Sequence, residues 1–267
     1  MKASLFIVTF LIGVSVFAQN SKEKIRHQYL LTIANFENDS VAKKIDMVLD
    51  IVEDTTYFAE KKFIDFQNDI YEANTTRDPN NYIQLLSKAN KKYDQSYYIM
   101  VKSTPTEIVT FEKFKKQKFF INEPRNGLIW NIDHTPIVWN HFTVKKATTI
   151  CDGRQWTVYF TEESQDQSGP YKFNNLPGFV VKAWDATNHF VFEYVDTEEL
   201  VDEHVYIHKP ETYSELSVEE KKLLKEVFYP HLASSKNSAS RSTGVKIHDI
   251  ENPIDLSFVE ENNLLQN

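Results

Sequence analysis

The sequence predicts a mainly β protein of α+β type, a curved antiparallel sheet or partly open barrel accompanied by two helices. Three observations carry this expectation. Apolar and aromatic side chains alternate with polar ones at period two in many short runs, and an Asp-Gly pair separates two of those runs. Two segments alone combine helical spacing with a helix-start signal.

The first run, "KIRHQYLLTI", places Ile25, His27, Tyr29, Leu31 and Ile33 on one side of an extended chain. "IDMVLDIV" does the same with Met47, Leu49 and Ile51. Asp78 then caps a helix that has Pro79 at its first position, followed by Tyr82, Leu85, Leu86, Ala89 and Tyr93. Further strands are expected at "YYIMVK", "EIVTFEK", "KFFINE" and "LIWNI". The clearest hairpin is centred on "CDGR", because Asp152-Gly153 suits the positive φ angles of a two-residue turn. Its flanks are "FTVKKATTI" and "QWTVYFT", the latter with Trp156, Val158 and Phe160 on one face. "FVVKAW", "HFVFEYV" (Phe190, Phe192, Tyr194) and "HVYIHK" continue the strand pattern. The second helix is "SVEEKKLLKEVF", where Ser217 and Glu220 form a capping box and Leu223, Leu224, Val227 and Phe228 form the stripe before Pro230. Residues 234–244 lack apolar side chains and read as a mobile loop, after which "ENPIDLSF" reads as a last strand.

The N-terminus has the layout of a signal peptide. Lys2 precedes an apolar run from Leu5 to Phe17, and Val16-Phe17-Ala18 fits the cleavage rule. A spanning helix needs about 20 apolar residues, and this run ends sooner. Residues 1–18 are therefore expected to be removed, leaving residues 19–267 as one β-rich domain with no transmembrane segment. The expected location is periplasmic or secreted. With 38 Asp and Glu against 30 Lys and Arg, and lysine pairs scattered among acids, the chain offers no footprint for nucleic acid. A single cysteine, Cys151, excludes an internal disulfide.

"GPYKFNNLPGF", residues 169–179, concentrates two of the six glycines of the chain and two prolines. Gly169-Pro170 suits a tight turn, Pro177 fixes φ, and Gly178 permits a close approach that a side chain would forbid. The segment holds no nucleophile, and a strand rather than a helix follows it, unlike a phosphate-binding loop.

"GPYKFNNLPGFVVKAWD" resembles the motif that names the GLPGLI family. Upstream, "KKATTICDGRQWTVYFT" is similar to that family's Lys-Ala-Thr, Gly-Arg and Trp run, and "LIWNI", "MVLDIVEDTTYFAE" and "NPIDL" extend the similarity over most of the chain. Asn175 stands at the first glycine of the motif, and Phe179-Val180 replace its Leu-Ile. The resemblance implies an exported β-rich protein of the Gram-negative envelope, without catalytic residues to carry over. The motif positions Gly153, Arg154, Gly169, Pro170, Lys172, Phe173, Leu176, Pro177 and Gly178 are expected to be architectural.

Other candidates are weak. His204 and His208 would lie about 13 Å apart on a strand, too far to share a metal. Cys151 reads as an inert thiol. Glu162, Glu163 and Asp166 read as a solvated acidic loop, although Glu163, Asp166 or a histidine (His134, His141, His189, His204) would supply the base of a hydrolase. Arg154 and Trp156 share a strand face and suit a cation–π contact. No cofactor, metal or catalytic residue is assigned. The functional expectation is a non-enzymatic envelope protein acting as a binding or accessory module, and Trp130, Trp139, Trp156 and Trp184 are the aromatic residues to watch. The alternatives are a carrier of an apolar ligand and a hydrolase.

Overall fold

The computed structural model describes residues 24–34, 42–75, 79–92, 100–114, 117–200 and 213–221. The expected signal peptide, the 204–209 strand with its two histidines, the 234–244 loop and the "ENPIDLSF" strand lie outside these residues.

The protein is mainly β. Its strands are β1 (Ile25–Ile33), β2 (Lys43–Val52), β3 (Thr55–Glu60), β4 (Met100–Ser103), β5 (Glu107–Phe114), β6 (Gln117–Pro124), β7 (Asn131–Trp139), β8 (Phe142–Cys151), β9 (Arg154–Thr161), β10 (Phe179–Asp185), β11 (Phe190–Glu199) and β12 (Ser214–Glu215). They form one twelve-stranded sheet in the order β12-β6-β5-β4-β3-β2-β1-β11-β10-β9-β8-β7. All pairings are antiparallel except β12 with β6, so the sheet is mixed. Among the described residues it is open, with β7 and β12 at its two edges.

Period-two patterning produced this sheet as expected. Tyr29, Leu31 and Ile33 of β1 are buried, as are Met47 and Leu49 of β2 and Trp156, Val158 and Phe160 of β9. Asp152 and Gly153 have φ of 50° and 79°, the two positive angles of the primed hairpin turn that joins Cys151 to Arg154. At β2–β3 the turn is Glu53-Asp54, where Glu53 takes φ 58°.

The sheet is strongly curled. Phe58 of β3, Val101 of β4 and Ile108 of β5 share one apolar cluster with Val144 of β8 and Trp156 and Phe160 of β9. From β5 to β9 is seven strand spacings, roughly 34 Å in a flat sheet at ~4.8 Å each. Only a sheet folded toward itself brings those side chains into one core.

Two helices follow β3: α1 (Lys61–Thr75) and α2 (Pro79–Lys92). α2 begins at Pro79, as its start signal predicts. α1 was not expected. It starts directly from β3 at Glu60-Lys61 without a Ser, Thr, Asp or Asn cap, and only Ile64 and Ala73 of it are buried. Ile64 packs with Val48, Tyr57, Ala59 and Met100 on the opposite face of the sheet, which buries β2–β4 on both sides. Of the second expected helix only the first turn is described, and there the capping box is made: Ser217 N donates to Glu220 Oε2 at 2.9 Å and Glu220 N to Ser217 Oγ at 3.1 Å. Among the described residues, no helix is long and apolar enough to cross a membrane.

Candidate functional site

The Gly/Pro segment lies inside the curl. Ser168 through Asn174, Leu176 and Gly178 are all buried, Asn175 is half-buried and Pro177 is exposed. The segment is thus an internal plug, where the sequence suggested a stiff turn. Phe173 packs on Trp156, Trp130 and Tyr171, with ring centroids 5.0–5.9 Å apart. Leu176 joins the same cluster.

Space dictates the two glycines. A Cβ on Gly169 would stand 2.5 Å from the Phe173 carbonyl oxygen, and one on Gly178 would run into the Thr161 carbonyl. Neither has a positive φ; in this segment that conformation falls to Tyr171, at 55°. The buried backbone is closed by polar side chains that sequence reasoning missed. Asn174 Oδ1 accepts from Gly169 N at 3.1 Å, and its Nδ2 donates to the Tyr171 carbonyl at 3.1 Å. Asn175, at the motif position where glycine was expected, donates to the Leu128 carbonyl at 2.9 Å and accepts from Trp130 Nε1 at 2.5 Å. Arg125, just after β6, donates to the carbonyls of Asn174 (2.6 and 2.9 Å), Thr104 (3.0 Å) and Gln167 (3.3 Å). Tyr29 of β1 donates to the Val180 carbonyl at 2.6 Å, and burial raises its hydroxyl well above the usual range.

A cluster of ionised side chains is built on Lys172. Its Nζ lies 2.5 Å from Glu123 Oε2 on β6 and 2.9 Å from Asp152 Oδ1 in the β8–β9 turn. The Lys172 side chain is 4% exposed. The Tyr171 hydroxyl donates to Asp152 Oδ2. Burial opposes both charges, but Asp152 and Glu123 hold the ammonium above its usual range. For Asp152 the burial penalty is outweighed by Lys172, Lys221 and the Tyr171 hydrogen bond, so its carboxyl stays well below the ordinary carboxylate range. Cys151 is inert by the same physics: burial, then the Asp152 charge, pushes the thiol well up.

Two further polar groups lie apart from this cluster, one buried and one running out to exposed Thr197. Arg154 Nη1 pairs with Asp185 Oδ2 at 2.5 Å, and its guanidinium lies 5.3 Å from the Phe190 ring centroid rather than on Trp156. Asp185 also accepts from Phe190 N at 2.8 Å. Beside this pair, burial and the Arg154 charge lower His189 to about 4. The other group is a chain of contacts: Asp166 Oδ2 to His27 Nε2 (3.0 Å), His27 Nδ1 to Thr197 Oγ1 (2.7 Å), and Thr197 Oγ1 to the Tyr194 hydroxyl (2.9 Å).

The remaining candidates do not converge. His134 and His141 are exposed. Glu162 pairs with Lys145 at 2.7 Å, and Glu163 accepts from Thr143 N, both at the surface. Among the described residues no three His, Cys, Asp or Glu form a group suited to a metal ion. Three of the four tryptophans are half-buried, and Trp156 is buried. Trp139 and Trp184 flank Tyr159 (6.4 and 4.8 Å between centroids), with Lys182 Nζ 5.6 Å from each indole, and Trp139 and Tyr159 pack against the main core.

No family model matches the chain, and no curated protein is found to be similar to it. Solved structures similar to it include PNGF-II in two crystal forms, at 13% identity with TM-scores of 0.47 and 0.48. The likeness covers 76% of this chain and 33% and 32% of those chains. The chain therefore spans about a third of their length.

Proposed function

We propose that the chain is an exported, non-enzymatic β-rich protein of GLPGLI type that acts as a binding or accessory module in the bacterial envelope. The observation that carries this reading is the occupied interior. The concave side of the sheet holds Trp156, Phe173, Phe160 and Phe192, each at most 1% exposed, and the chain's own 168–178 segment. This self-filling weighs against an apolar carrier, which needs a hollow. The exposed apolar side chains Val138 of β7 and Ile150 of β8 are the surface positions this reading assigns to a partner.

The test is made in cells. N-terminal sequencing of the fractionated protein is expected to begin at Gln19, and a photo-reactive amino acid at position 138 or 150 is expected to give one discrete adduct with an envelope protein. A cytoplasmic protein with its leader intact, or no adduct from either position, contradicts the reading.

The Asp166–His27–Thr197 chain favours a hydrolase as second reading. Against it, Thr197 Oγ1 is already engaged by Tyr194, and the His27 ring lies 4.4 Å from Phe179, almost wholly enclosed. Activity on simple esters that His27→Asn abolishes would restore this reading.

A further inference from the structure

Lys172, Asp152 and Glu123 form an amine between two carboxylates in an enclosed, partly aromatic site. Lys172 Nζ is 2.9 Å from an Asp152 carboxylate oxygen, so the amine rests directly against the carboxyl group it would attack. The Tyr171 hydroxyl donates to the other Asp152 oxygen, where charge develops as a tetrahedral carbon forms. Glu123 contacts the same nitrogen at 2.5 Å, the reach required of a proton carrier. The Tyr171 ring lies 5.6 Å from Nζ, and Lys172 itself is sealed from water. We propose that this is a self-modification site, at which Lys172 condenses with Asp152 to form an intramolecular isopeptide bond, with Glu123 carrying protons.

The step balances without a co-reactant. Glu123 takes a proton from the Lys172 ammonium, and the freed Nζ lone pair forms a bond to Asp152 Cγ. Glu123 hands that proton to Oδ1, a second proton follows from Nζ by the same route, and the Cγ–Oδ1 bond breaks with its electron pair. Of the three ammonium hydrogens, one stays on the amide and two leave with Oδ1 as water. Glu123 returns to a carboxylate. The resting groups are held as ions, so the reaction draws on a small neutral fraction, and a single event per molecule is sufficient. Asp152, rather than Glu123, is the acyl partner because it carries the Tyr171 donor and is the more enclosed, at 19% against 31% side-chain exposure. The product would be a covalent staple between the plug and the β8–β9 turn in a chain whose single cysteine provides no disulfide.

Intact mass of the purified full chain in denaturant tests this directly. The mass is expected one water below that of the sequence from its measured N-terminus, and proteolysis is expected to yield the Lys172 peptide joined to the Asp152 peptide. Asp152→Ala and Lys172→Arg should restore full mass, and Glu123→Gln should lower the linked fraction at matched time by at least about tenfold. Wild-type protein at full mass overturns the proposal, whatever the variants do. So does a chain one water light whose Asp152 peptide is unlinked, since Asp152-Gly153 can lose water alone as a cyclic imide.

Discussion

Lys172 and Glu123 are 49 residues apart in sequence, yet their charged atoms meet at 2.5 Å. Glu123 belongs to β6, next to one edge of the sheet, and the second partner of Lys172 sits in the turn from β8 to β9 near the other. Eight strand spacings separate β6 from β9, roughly 38 Å if the sheet were flat. One buried lysine thus spans an arc that backbone pairing leaves open.

Removing that lysine leaves a buried carboxylate without its main counter-charge. Lys172→Met is expected to destabilise the protein by about 3–5 kcal/mol, and Lys172→Met with Asp152→Leu by clearly less. Urea unfolding of the two variants checks the order; equal losses would show that the charge pairing is not what matters there.

The glycines should respond according to local space and backbone angle. Gly178→Ala forces a methyl group into the Thr161 carbonyl and should cost about 1–3 kcal/mol. At Gly153, φ 79° strains any side chain, and alanine should cost about 1–2 kcal/mol. Gly127→Ala, with nothing within 4 Å, is the control expected within about 0.5 kcal/mol of wild type. Thermal unfolding of the three variants separates these cases.

Arg125 should be irreplaceable by lysine. Its guanidinium serves three carbonyls from two segments, a pattern that a single ammonium cannot copy. Arg125→Ala should cost about 2–3 kcal/mol, and Arg125→Lys should recover less than half of that in the same denaturant measurement.

His189 sets a pH dependence. Its folded pKa, about 4, lies below the usual histidine value of about 6.5. Between those two values the unfolded chain binds the extra proton, so stability is fully present above about pH 6.5 and falls as pH drops toward 4. The upper limit of the loss is about 3 kcal/mol. His189→Gln should flatten the unfolding free energy across this window; an unchanged slope would assign it to other groups.

What the sequence revealed follows from the range of the interactions concerned. Half-buried antiparallel strands carry their pattern locally, so Tyr29, Leu31, Trp156 and Phe192 could be placed inward from alternation alone. The Asp152-Gly153 turn and the Pro79 helix start are local signals as well. α1 has no comparable cap and few buried positions, and it passed unnoticed. The polar interior was illegible for a different reason. Arg26 and Asp50 occupy the alternate face of β1 and β2, where water is expected, yet they face each other across the ladder in a buried bidentate pair at 2.6 and 2.8 Å. Lys172 is marked by the sequence only as an architectural motif position, because nothing near it in sequence announces Glu123. Asn174 and Arg125 serve backbone carbonyls and amides, for which no residue pattern exists to be read. The Gly/Pro content marked the right segment; that it is enclosed depends on the curl of the whole sheet.

Native-state amide exchange of the 168–180 segment tests the enclosed plug most directly. Phe173, Asn174 and Val180 donate their amides to carbonyls inside the curl, and they are expected to exchange as slowly as the central residues of β9 and β10. Exchange of those three amides at the rate of exposed residues on the β7 edge would contradict the account.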